Sequence, residues 1–211
     1  ATTFVNLGFD EGQRVFVPTD DFPREDRPPA SLALPGWVFM IGDQHQESVW
    51  YGFPISGDSL FALQPEGDGV FSGPNALIIN NGRAGEAYVP RLSQIGRLAG
   101  DVFAMEFLLL SATPAQALDV RIDDEILKLV SLGKEQLGDV SWTRMGADVS
   151  AYAGEEVLLD IRSIRPTNSN EHVLYGFVID DIRFTDRQIP ELSPGFLSLL
   201  SLLGLGARRR R

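Results

Sequence analysis

From Thr3 to Phe184 the chain is broken by Gly, Pro, Asn and Asp every eight to twelve residues or so, with short runs rich in β-branched and aromatic residues between the breaks. That spacing predicts an all-β sandwich or barrel. Strands are expected over 3–7, 36–41, 48–51, 59–64, 76–80, 87–92, 101–111, 118–122, 126–131, 157–162 and 174–184. Leu118, Val120 and Ile122 alternate with Asp119 and Arg121, which puts an apolar row on one face and a wet row on the other. Asn80-Asn81-Gly82 carries the residues that tolerate the positive φ of a two-residue hairpin, and Asp123-Asp124 reads as a second turn between apolar runs. Residues 19–31, rich in Pro, Asp and Arg, read as a long exposed loop. No internal repeat, heptad or long amphipathic helix is visible.

After Phe184 the pattern changes. Residues 185–188 form a polar spacer, Ile189-Pro190-Glu191-Leu192-Ser193-Pro194 follows, residues 196–207 run without a charge, and Arg208, Arg209, Arg210 and Arg211 end the sequence. The uncharged run of 12 residues rises about 18 Å as a short hydrophobic helix, against roughly 30 Å of bilayer hydrocarbon. Arginine clusters stay cytoplasmic, so the predicted order is body outside, apolar run in the membrane, arginines inside.

Composition narrows the function. The formal net charge is −11, and with the four terminal arginines set aside the remainder carries 14 basic against 29 acidic groups, or −15. A body that acidic argues against nucleic acid as a partner, because phosphate contacts need clustered Lys and Arg. The absence of cysteine excludes disulfides, thiolate metal sites and a cysteine nucleophile. Only His45 and His172 offer imidazoles, and His45, among Gln44, Gln46 and Glu47, reads as a solvated loop residue. The sequence opens on Ala1 with no apolar leader, which fits the residue that follows signal cleavage.

Gly57-Asp58-Ser59-Leu60 spells the signature of the GDSL serine esterases, with Ser59 as the nucleophile that resemblance would imply. Their base comes from an Asp-x-x-His, whereas His172 has Ser169 three positions earlier. The reading is set aside, and no catalytic residue is assigned. Sugar recognition needs exposed rings beside polar groups. Of Trp37, Trp50, Tyr51, Tyr88, Trp142, Tyr152 and Tyr175, Trp37 lies in an apolar run and reads as core. Trp50 and Trp142 are the expected ligand-binding rings, Trp50 because adjacent Trp50 and Tyr51 face opposite sides of a strand, Trp142 because a polar stretch precedes it.

Two family resemblances organise these features. The tail's short motif Pro190-Glu191-Leu192, apolar helix and basic cluster resemble the PEP-CTERM sorting signal of Gram-negative bacteria that make exopolysaccharide, with Leu192 where that motif usually has a second Pro. The resemblance implies an exosortase-like processing enzyme as partner and a destination in the cell envelope, on the surface or in the matrix. In the body, Asn6-Leu7-Gly8-Phe9-Asp10, Pro35-Gly36-Trp37, residues 148–154 and the closing residues 174–184 around Asp180-Asp181 resemble galactose-binding-like jelly rolls, the fold of many carbohydrate-binding modules. That resemblance implies a structural calcium held by Gly8, Asp10 and Asp180, and hard oxygen donors from distant segments suit this ion. Asp180 and Asp181 read equally well as surface residues at a bulge.

The expected organisation is therefore a jelly-roll β-sandwich over residues 1–186 and a sorting and anchor tail over 187–211. The expected function is a non-enzymatic exported envelope or exopolysaccharide-matrix protein, associated with the membrane through its tail. A carbohydrate-binding module with a defined glycan is the second reading, and a glycan-active hydrolase with an unrecognised carboxylate pair the third.

Overall fold

A computed structural model describes residues 2–11, 29–51, 61–65, 75–80, 89–111, 118–164 and 176–189. They form an all-β sandwich of two sheets. Its strands are β1 (Val38–Ile41), β2 (Gln44–His45), β3 (Trp50–Tyr51), β4 (Phe61–Pro65), β5 (Asn75–Asn80), β6 (Pro90–Arg97), β7 (Ala104–Ser111), β8 (Leu118–Ile122), β9 (Glu125–Ile126), β10 (Val130–Leu137), β11 (Val140–Asp148), β12 (Glu156–Ser163) and β13 (Gly176–Thr185). One sheet runs β2-β1-β6-β12-β8-β9, the other β10-β11-β7-β13-β5-β4-β3. From β5 to β8 the chain crosses between the sheets at every step, which is the wrapping of a jelly roll. Pairing is antiparallel throughout these ladders except at the edge, where β3 lies parallel to β4 with Trp50 opposite Ala62.

Alternation builds the core as the sequence predicts. Leu118, Val120 and Ile122 point inward beside Leu92, Leu159 and Ile161 of the same sheet, and Leu77, Ile79, Met105, Phe107, Leu109, Phe177 and Ile179 face them from the other. Asp123 and Asp124 make the expected two-residue hairpin, with φ of 50° and 68° and Ile122 paired to Glu125. Gly42-Asp43 and Gly138-Asp139 join β1 to β2 and β10 to β11 as two-residue turns in which only the glycine has positive φ. Residues 81–82 of the other predicted turn lie outside the described residues.

Three expectations change. The face carrying Asp119 is not wet throughout, because arginines lie over its carboxylates. Arg121 donates to Asp119 at 2.8 Å, Arg162 holds Asp160, and Arg91 stands 3.7 Å from the same carboxylate, leaving Asp160 only 1% exposed. Residues 3–7 form no strand. Instead the Gln94 side chain accepts from the Val5 amide at 2.7 Å and donates to the Val5 carbonyl at 3.1 Å, so one amide group replaces a rung of backbone ladder. Finally, Ala30 and Ser31 do not close an exposed loop. They begin a one-turn helix, α1 (Ala30–Ala33), whose two alanines are buried; the rest of the predicted loop, to residue 28, lies outside the described residues.

Strand β11, with the full length of β10, has no counterpart in the sequence reading. Along β11, Met145 and Ala147 enter the core while Trp142, Arg144 and Gly146 occupy the opposite face, which is also covered. A strand buried on both faces loses the apolar-polar alternation that marks a half-exposed one.

Candidate functional site

The opening and closing segments meet, as the jelly-roll resemblance implies. A β-bulge interrupts β13 between Asp180 and Arg183, with Asp181 at φ 48°. There the Ile182 amide leaves its ladder and donates to the Leu7 carbonyl at 3.2 Å. Gly8 follows Leu7, and a Cβ built on it would stand 3.3 Å from Asp10 Oδ2, so the Asp10 carboxylate folds back over the turn. Asp180 is buried at 2% exposure and accepts the Asp181 amide at 2.7 Å. The bulge is therefore real, but Asp180 is not a surface residue. Nearby, Trp37 is core as expected, tilted against Phe9 with 5.8 Å between ring centroids and donating to the Asn6 carbonyl at 3.1 Å. Among the described residues no three His, Cys, Asp or Glu side chains converge. Of the calcium donors the resemblance implies, Gly8 and Asp10 follow Leu7 and Asp180 precedes Ile182, on the two sides of that backbone contact.

A second polar constellation crosses the outward face of the larger sheet. Arg144 donates to Glu135 at 2.8 Å and to Asp181 at 2.7 Å, and Arg183 donates to the buried Glu106 at 2.7 Å while lying 3.8 Å from Asp181. Burial disfavours the Arg144 charge, but the hydrogen bonds it donates to Asp181 and Glu135, with their negative charge, outweigh that and its pKa rises. Glu135 and Asp181 are both 42% exposed, so each pair is worth only about 0–1 kcal/mol. The network orients side chains more than it holds the fold together. At the β8–β9 hairpin, Tyr152 donates to Glu125 at 2.7 Å, and this bond, with some burial, pushes the phenol pKa up to about 12.

The network ends in a cleft of about 460 Å³ where the β6–β7 connection meets the end of β13. Asp101, Glu106, Arg183, Asp186 and Arg187 supply its charges, and Phe184 and Val102 its apolar wall. Thr185 also lines it, and the buried Thr185 hydroxyl finds no hydrogen-bond partner.

The predicted ligand rings fare differently. Trp142 is fully buried, packed with Ala76 and Leu108 and flanked by Leu110, Leu137, Val140 and Val178. No face of it is free to stack on a sugar, and the polar residues before it belong to β10 and its turn. Trp50 sits on edge strand β3, and its side chain lies outside the described residues. So do Gly57-Asp58-Ser59-Leu60, His172, and the tail residues Pro190, Glu191, Leu192 and Arg208–Arg211. His45 is exposed on the short edge strand β2 rather than in a loop. Sequence reasoning missed the cleft, whose residues come from segments far apart in the chain and carry no motif.

No protein-family profile and no curated protein matches this chain. Among solved structures, the K2 cleaved adhesin domain of Lys-gingipain (Kgp) is similar over 76% of this chain and 99% of its own, at 14% identity and a TM-score of 0.44.

Proposed function

We propose that this chain is an exported, non-enzymatic protein of the cell envelope or exopolysaccharide matrix, with its sandwich presented outside the membrane and its tail serving as a sorting address for an exosortase-like enzyme. The observation that carries this reading is the place where the tail starts. The last core strand ends at Thr185, and Ile189 still packs on the body, since a Cβ at Gly146 would stand 2.6 Å from its Cδ1. The Pro-Glu-Leu motif, the uncharged run of 12 residues and four arginines follow at once. Among the described residues no helix is long and apolar enough to cross a membrane.

Fractionation tests the tail. The full chain is expected in the membrane fraction, and a chain ending at Ile189, which keeps that side chain on β11, in the soluble fraction; equal solubility of the two would sink the reading. A structural calcium at Gly8, Asp10 and Asp180 belongs to the same reading, supported by the contact of Leu7, next to Gly8, with Ile182, two residues from Asp180. Excess calcium is then expected to raise the melting temperature and Asp10→Ala to abolish the rise, whereas identical melting in calcium and in chelator would remove the site.

A second reading, that the body also binds polysaccharide, is favoured by the cleft, whose volume lies in the range of small-molecule sites.

A further inference from the structure

We infer that the cleft between the β6–β7 connection and the end of β13 is a binding site for a neutral, hydroxyl-rich ligand, a mono- or disaccharide unit; this rests on the second reading above and gives it a location. Charge comes first. Asp101, Glu106 and Asp186 carry three negative charges and Arg183 and Arg187 two positive ones, so the lining is nearly balanced. With Glu106 and Arg183 bound to each other, a free anion would meet the carboxylates of Asp101 and Asp186, and a free cation the guanidinium of Arg187. Arg183 is moreover occupied, since both its Nε and one terminal nitrogen donate to Glu106, at 3.1 and 2.7 Å. A sugar hydroxyl both donates and accepts, so it can give its proton to Asp101 or Asp186 and take one from Arg187 in the same site.

The walls suit the rest of such a ligand. Phe184, Val102 and Ala99 offer apolar surface to ring C–H groups, and Phe184 is backed by Phe4 at a centroid distance of 5.1 Å. The rim is tied to the body by backbone bonds: the Phe103 amide donates to the Thr185 carbonyl at 2.8 Å and the Val149 amide to the Phe103 carbonyl at 2.9 Å. The three polar contacts proposed for the ligand, Asp101, Asp186 and Arg187, are all exposed, so they can be changed without disturbing the core.

The test is isothermal titration calorimetry of the full chain, held in a detergent without a sugar headgroup, against neutral tetrasaccharides of the cello, xylo, manno and galacto series and against tetragalacturonate. At least one neutral sugar is expected to bind, and Asp186→Ala and Arg187→Ala each to weaken it roughly tenfold, the loss of one charge-assisted hydrogen bond, with an unchanged melting temperature. Unchanged affinity in both variants would place the sugar elsewhere and overturn this site while leaving the polysaccharide reading intact. Binding of tetragalacturonate alone would overturn the assignment of a neutral ligand. If no sugar binds, the site and the polysaccharide reading fall together, and the sorted-envelope reading, which the fractionation tests, is untouched.

Discussion

Trp142→Ala is expected to lower the melting temperature by on the order of 10 °C. Replacing a fully buried Trp by Ala costs about 3–5 kcal/mol, because the cavity left behind collapses only in part. For a domain of this size each kcal/mol moves the transition by about 2–4 °C. The side chain fills the space between β7 and β10–β11 on the outward face of the larger sheet, against Leu108 and Ala76 with Leu137 and Val140 at its edge. Its loss should therefore be felt as unfolding of the β10–β11 hairpin first, visible as early loss of amide protection in residues 130–148. Trp142→Phe should recover roughly half the loss. A ligand platform behaves in the opposite way, losing binding while the melting curve stays in place. A melting temperature unchanged by Trp142→Ala would contradict the packing described here.

Gly36→Ala is the second large effect, expected to destabilise by roughly 2–4 kcal/mol through two separable costs. The residue sits at φ +85°, a conformation that a Cβ makes unfavourable by about 1–2 kcal/mol. A Cβ there would also collide with Val5 Cγ2 and lie 3.1 Å from the Gln94 amide nitrogen. Pushing Val5 aside breaks the two hydrogen bonds by which Gln94 holds the opening segment, each worth about 0.5–1.5 kcal/mol. Gly42 is the control. It has φ +57° but nothing within 4 Å, so Gly42→Ala should carry the conformational cost alone. Urea denaturation of the two variants separates the costs; equal destabilisation would mean that the Val5–Gln94 contact contributes nothing.

The legible parts of the fold are those where physics is local. The period of two in Leu118, Val120 and Ile122 belongs to one strand, and the tolerance of Asp123 and Asp124 for positive φ belongs to two residues, so both are readable without knowing any partner. The meeting of Leu7 with Ile182 was visible only through resemblance, since nothing local says that the two are neighbours. A polar residue was misjudged. Asp119 read as solvent-facing from the alternation of its strand, yet it is buried because Arg121, two residues along, satisfies it.

The candidate sites follow the same division. Trp142 looked exposed because a polar stretch precedes it, while its burial comes from Leu108 and Ala76, more than thirty residues away. The end cleft could not have been predicted, because Asp101 and Asp186 become neighbours only when the β6–β7 connection is laid beside the end of β13.

By itself the sequence determined the all-β class, the two aspartates that turn β8 into β9, the core identity of Trp37 and the composition of the tail, all properties carried by residues within a few positions of one another. Tertiary structure decided which faces are covered, which charges are paired and where a ligand could sit. Burial and pairing depend on strands brought together across the chain, and no local pattern records which strand will be the neighbour.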